Sequence, residues 1–269
     1  MLELNLLDWL IFATTGAVAG LAAGYLGIGG GMVIVPVLSL YLQDKFPLFT
    51  DHSQQAVATS LATILVTGTV AALSHHRRGA IDWDWVKQLA PGLLIGALAG
   101  AWIAGQISSD WLIRIFSIFA LLSGLRMLMN TPLAATTFSL SPLAKRSSGV
   151  VIGSMSSLLG IGGGTLSVPM LNACGVKIHQ AVAIASAAGV VIAIAGTSGF
   201  IITGLDLQMS PPGSFGYIYL PALLGIVTTS ILTAPLGAKL VHKSRPQLVK
   251  QVFGCLLILV AARLMLRSF

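Results

Sequence analysis

The chain has 269 residues, of which 55% are hydrophobic and only 9% charged, with 15 Lys and Arg against 8 Asp and Glu for a formal charge of +7. Soluble domains carry about a quarter charged residues, so a chain this apolar, with a mean hydropathy of +0.91, cannot cover a water-facing surface. That excludes a soluble enzyme and a nucleic-acid-binding module despite the basic balance, and leaves a polytopic membrane protein.

The N-terminus, MLELNLLDWLIF, holds Glu3 and Asp8 and no basic residue. It lacks the positive n-region of a cleavable leader and runs on into apolar sequence past Gly27, so it reads as part of the mature fold. Next comes the strongest signal in the chain. GIGGGMVIVPVL at Gly27–Leu38 recurs as GIGGGTLSVPML at Gly160–Leu171, 133 residues on. Gly16 and Gly20 precede the first copy as Gly149 and Gly153 precede the second, and a QAVA segment follows each, at Gln55–Ala58 and Gln180–Ala183. Proline-led apolar runs from Pro91 and Pro221, and closing helices after Trp111 and Gln247, complete the correspondence. The chain is therefore a duplication: a first repeat over residues 1–130, a linker over 131–146 and a second repeat over 147–269.

A membrane-crossing helix needs about 20 apolar residues. Six segments qualify: 53–74, 88–106, 111–129, 179–204, 215–238 and 247–267. The glycine regions, 8–42 and 147–174, do not fit this pattern. Consecutive glycines cost about 1 kcal/mol each in a helix relative to alanine, so a break is expected there. Each region is read as a re-entrant hairpin of two half-helices, the second arm of about 11 residues reaching only about 16 Å, near the midplane. Backbone of that kind is tolerated at depth only where it meets protein or a watery cavity.

Basic residues concentrate on the cytoplasmic side of membrane proteins. Placing Arg77, Arg78 and Lys87 there also puts Lys145, Arg146, Lys177, Lys239, Lys243 and Arg245 inside. Asp44, Asp51, Asp110 and Asp206 then fall outside, as do both termini. The basic loop 75–87 corresponds to loop 205–214, which holds only Asp206, and linker 107–110 corresponds to the basic 239–246. Bias that reverses between like halves predicts an inverted-topology repeat. The expected fold is an all-α polytopic membrane protein of two inverted repeats, each a broken re-entrant hairpin plus three transmembrane helices.

Every Asp, Glu and His lies in a loop or at a span end. Cation carriers usually hold such a residue at depth, which argues against carboxylate-coupled transport, and no nucleophile–base constellation supports an enzyme. Cys174 and Cys255 show no ligand spacing and read as inert. No metal or cofactor is expected. The glycine tips favour an anion, because a glycine turn opening into a helix presents unpaired N–H groups and a positive helix end. The candidate binding residues are Gly29, Gly30, Gly31 and Met32 at the first tip, Gly162, Gly163, Gly164 and Thr165 at the second, and the nearby hydroxyls of Thr59, Ser60 and Ser186, with Thr63 beside them. Arg114, Arg126, Lys250 and Arg263 sit near span ends, where they snorkel or guide an anion.

The paired G-I-G-G-G-x3-V-P-x-L motifs, the AVATS segment at 56–60 and the LIRIF-type closing helix resemble the sulfite exporter TauE/SafE family. The second copy reads AVAIAS at 181–186, which shifts its hydroxyl to Ser186. The resemblance implies export of sulfite or a related organosulfur anion across a bacterial inner membrane, with the anion and membrane lipid as partners and no nucleic acid; a homo-oligomer stays open. The rival readings are an organosulfonate uptake carrier coupled to protons or sodium, and a non-transporting assembly subunit.

Overall fold

The structure is a computed structural model and describes all residues except 1–3, 27–28, 130–139, 206, 208–209, 241–245 and 269, with the side chains of 26, 238–240, 246–250 and 267–268 also outside the description. Asp206, most of the linker, and the Lys239, Lys243, Arg245 and Lys250 side chains therefore lie outside the described residues.

Among the described residues, ten helices follow one another: α1 (Leu6–Leu26), α2 (Gly31–Lys45), α3 (His52–Arg77), α4 (Trp83–Gln106), α5 (Ser109–Met129), α6 (Pro142–Leu159), α7 (Gly164–Ala173), α8 (Ile178–Thr203), α9 (Leu220–Leu240) and α10 (Pro246–Ser268). A two-residue hairpin, β1 (Ser214–Phe215) and β2 (Ile218–Tyr219), precedes α9, so residues expected at the start of a helix form an antiparallel turn instead. Among the described residues, six helical stretches are long and apolar enough to cross a membrane, in α1, α3, α4, α5, α8 and α9.

The helices break at both glycine motifs, where the sequence places the breaks: α1 stops at Leu26 and α2 starts at Gly31, while α6 stops at Leu159 and α7 starts at Gly164. The arms differ from expectation. α1 is 21 residues long, a full crossing length rather than a half-helix, and α2 has 15 residues, whereas α7 has 10. Gly16 and Gly20 do not interrupt α1 because each lets another backbone approach. A methyl group on Gly16 would strike the Ile226 carbonyl, and one on Gly20 would lie 2.7 Å from the Ser230 carbonyl, both in α9. Close backbone contact of this kind is the usual gain from small residues in membrane helices, and here it offsets the glycine cost.

Contact order gives the helix directions. Gly92, Gly96 and Gly100 of α4 meet Arg146, Val150 and Ser154 of α6 in rising order, so these helices run parallel. α1 and α9 are parallel too, since Phe12 meets Gly225 and Leu21 meets Gly237. α3 and α8 run antiparallel: Gly68 faces Val190 while Leu61 faces Gly196. So do α5 and α10, where Gly124 meets Leu257 and Ile258 while Gly254 meets Met127 and Leu128. Each half thus lays its first helix along the other half's fourth, and its third and fifth against their own counterparts.

Candidate functional site

The first tip turns through Gly29 (φ 78°) and Gly30 (φ 74°), both left-handed and therefore strained for any residue with a side chain. The Gly30 carbonyl accepts from the N–H groups of Val33 and Ile34, starting α2. The second tip leaves α6 through left-handed Gly160, and the Gly163 carbonyl accepts the Ser167 N–H at 2.7 Å, starting α7. The two tips meet backbone to backbone. A methyl group on Gly29 would lie 2.8 Å from the Gly162 Cα, and one on Gly162 would lie 3.1 Å from the Gly29 Cα. The contact falls at the middle of the long antiparallel pair, beside Ile64 of α3 and Gly189 of α8. At 26 residues each, these helices are about 39 Å long, so the tips lie about 20 Å from either end.

A small cavity of about 20 Å³ opens beside this contact, lined among others by Ala23, Gly29, Thr67, Gly162, Ser186 and Gly189. One water needs about 10–15 Å³ by this measure, so an oxyanion of four heavy atoms requires the site to widen. None of the lining residues is charged. The cavity follows the C-terminal half of α3, through Gly68 and Ala71, toward the end that carries Arg77 and Arg78.

Of the expected site residues, Gly29, Gly162 and Ser186 line this cavity, and Gly30, Gly31, Gly163 and Gly164 form the adjoining turns. Met32 is fully buried in the core. Two hydroxyls are committed elsewhere. Thr59 Oγ1 accepts the Tyr219 N–H at 3.0 Å, anchoring the β-hairpin, and Ser60 Oγ donates to the Gly160 carbonyl at 2.8 Å, tying α3 of one half to the tip of the other. Ser186 donates to the Val182 carbonyl and lines the cavity, so the shifted hydroxyl of the second repeat borders the opening beside the tips while Ser60 is held in the backbone contact between them. Thr63 donates to the Thr59 carbonyl. Thr165 carries a buried Oγ1 with no hydrogen-bond partner among the described residues.

Thr67 and Gly189 are lining residues that motif reading passed over. Thr67 sits seven residues beyond Ser60, on the same helix face, which is the signal that points to it. Asp8 is the other departure. It sits at a span end as expected, yet only 5% of it is exposed, and it pairs with Lys45 at 2.9 Å across the base of the α1–α2 hairpin. Among the peripheral cations, Arg114 stacks over the Trp111 ring at 5.5 Å, while Arg126 and Arg263 are exposed.

The fold and site define a polytopic helical membrane protein in which two interrupted helices meet at an uncharged central cavity. Residues 12–264 match the sulfite exporter TauE/SafE family, and the chain belongs to that family. It is 37% identical to a probable membrane transporter protein of Haemophilus influenzae, over 96% of this chain and 98% of the relative. It is 24% identical to one from Methanocaldococcus jannaschii, over 90% of each chain, and 27% identical to the probable membrane transporter protein YtnM of Bacillus subtilis, over 97% of this chain and 83% of that one. No solved structure matches. Family, relatives and apolar helices together support a multi-pass membrane transporter.

Proposed function

We propose that the protein exports sulfite or a related small organosulfur anion from the cytoplasm, through a site at the paired tips, by alternating exposure between two inverted halves. The observation that carries this reading is the meeting of two glycine tips, each opening into a helix N-terminus, beside an uncharged cavity at the middle of α3 and α8. Amide N–H groups at helix N-termini favour an anion, and inverted-repeat carriers hold substrate where their broken helices meet. The antiparallel course of the corresponding pairs α3/α8 and α5/α10, with α1/α9 and α4/α6 parallel, is the arrangement that two inverted halves require. On this reading residues 1–130 and 147–269 are the halves, joined by 131–146. The tips are re-entrant turns, both termini are external, and the membrane is a bacterial inner membrane. The cavity follows α3 toward its basic end, which gives an anion access from the cytoplasm. An inside-negative potential drives each negative charge outward by about 2.3 kcal/mol per 100 mV, so export needs no second energy source.

The test is efflux from proteoliposomes loaded with sulfite. An outside-positive potential is expected to accelerate sulfite release, and the anion sulfate or the zwitterion taurine added inside shows which solutes share the path. Sulfite release that equals that of protein-free vesicles at every potential overturns the reading.

A further inference from the structure

Six buried serine and threonine hydroxyls lack a hydrogen-bond partner among the described residues, and five of them surround the second tip: Ser156 and Ser157 at the end of α6, Thr165 and Ser167 at the start of α7, and Thr197 in α8. Hydroxyls in apolar helices ordinarily bond the carbonyl one turn back, as Thr63, Thr67, Ser117 and Ser186 do. The five depart from that habit on one side of the duplication only. Their counterparts in the first half are Ala23, Gly24, Met32, Ile34 and Ala72, none with a hydroxyl.

Close contacts place two of the five, Ser157 and Ser167, beside the Ile192–Gly196 turn of α8, and a third, Thr197, belongs to α8 itself. Ser157 Oγ lies 2.7 Å from where a methyl on Gly196 would sit. A methyl on Gly163, the N-cap of α7, would lie 3.3 Å from Ser167 Oγ and 2.7 Å from Ile192 Cδ1. Thr197 follows Gly196 directly. Ser157 and Ser167 are fully buried and Thr197 is 8% exposed. The start of α2 is by contrast closed. Gly31 packs on the Gly160 carbonyl, and Met32 and Ile34 are buried in the core.

We propose that the N-terminal turn of α7 is a binding site for a singly charged oxyanion, held by the N–H groups that the turn's own carbonyls leave free and by the hydroxyls of Ser167 and Ser157, and that the carrier selects monoanions over dianions. The proposal rests on the anion-carrier reading and narrows it to one tip and one charge. Every donor here is neutral, and no Lys, Arg or His lines the adjoining cavity. The cost of taking an ion out of water rises with the square of its charge, while its attraction to neutral dipoles rises only in proportion. A site of dipoles alone therefore holds one charge far better than two. A hydroxyl also accepts a hydrogen bond, which suits the acidic hydrogen of hydrogensulfite.

Flux through the reconstituted full-length protein tests this, with methanesulfonate as a fixed monoanion, sulfate as a fixed dianion, and sulfite as an anion that changes from one to the other near neutral pH. Methanesulfonate should compete with sulfite and sulfate should not. Sulfite flux at constant total concentration should fall several-fold from about pH 6 to about pH 8, while methanesulfonate flux stays level. Ser167→Ala should raise the half-saturating sulfite concentration about tenfold, and Ser117→Ala, whose hydroxyl is bonded within α5, should leave it unchanged. Sulfate competing as well as methanesulfonate, or flux rising with pH, overturns monoanion selection while the carrier stands. An unchanged Ser167→Ala overturns the placement at α7. No flux with any anion removes the carrier reading itself, and this proposal with it.

Discussion

Replacing Gly29 with alanine is expected to cut sulfite flux at least tenfold while the protein remains folded in the membrane. The new methyl group meets two obstacles. Gly29 sits at φ 78°, where a side chain costs about 1–2 kcal/mol. The methyl also lies 2.8 Å from the Gly162 Cα and 3.1 Å from the Gly162 nitrogen. Those are backbone atoms of the opposing tip, so no side chain can rotate away, and overpacking of this kind costs about 1–3 kcal/mol more. The tips must separate, and the cavity that Gly29 and Gly162 line together changes shape. Gly79→Ala is the matched control, because Gly79 is also left-handed, at φ 65°, but has nothing within 4 Å. It carries the conformational cost alone and should transport like the wild type. Equal flux from the two variants would contradict a functional tip-to-tip contact.

Lys45→Met should destabilise the protein by about 3 kcal/mol, because it leaves Asp8 charged, 5% exposed and without its 2.9 Å partner. Breaking a buried ion pair by removing one partner costs about 3–5 kcal/mol. Lys45 is itself 30% exposed, which places this pair at the low end of that range. For a chain of this size the unfolding midpoint in detergent should drop by about 6–12 °C. The double variant Asp8→Asn with Lys45→Met should recover most of the loss, since no unpaired charge then remains and the Asn side chain can still accept the Asn5 N–H that now bonds Asp8. A double variant as unstable as Lys45→Met would show that Lys45 acts through something other than Asp8.

Much of this architecture is legible in the chain because it is duplicated. The repeated glycine motif marks both helix breaks, and α3, α4, α5, α8 and α9 fall on segments chosen by hydropathy. The length of α1 is not legible, because the break at the glycine motif makes both arms read as half-helices, and the packing of Gly16 and Gly20 on α9 that accompanies a full-length α1 appears only in the folded chain. The burial of Asp8 depends on Lys45, which lies 37 positions away and is brought near only by the hairpin. Hydroxyl roles are the hardest to read. Thr59 and Ser60 look like binding groups beside the first motif, but the fold spends them on Tyr219 and Gly160, from the other half of the chain. The unpaired hydroxyls of the second tip do leave a trace, since Ser167 stands where the first copy has Ile34, and Ser156 where it has Ala23. Only the structure shows that they are buried and unpaired.

Alternation between inverted halves requires corresponding loops to open on opposite sides of the membrane. In a background with Cys174→Ser and Cys255→Ser, single cysteines would be placed by His76→Cys, in the exposed end of α3, and by Pro212→Cys, in the exposed segment before the β-hairpin. Labelling of intact cells and of inverted vesicles with an impermeant maleimide then reports sidedness. His76→Cys should react only from the cytoplasm and Pro212→Cys only from outside. Reaction of both from the same face would contradict the inverted arrangement, and with it the account of two tips serving one site from two sides.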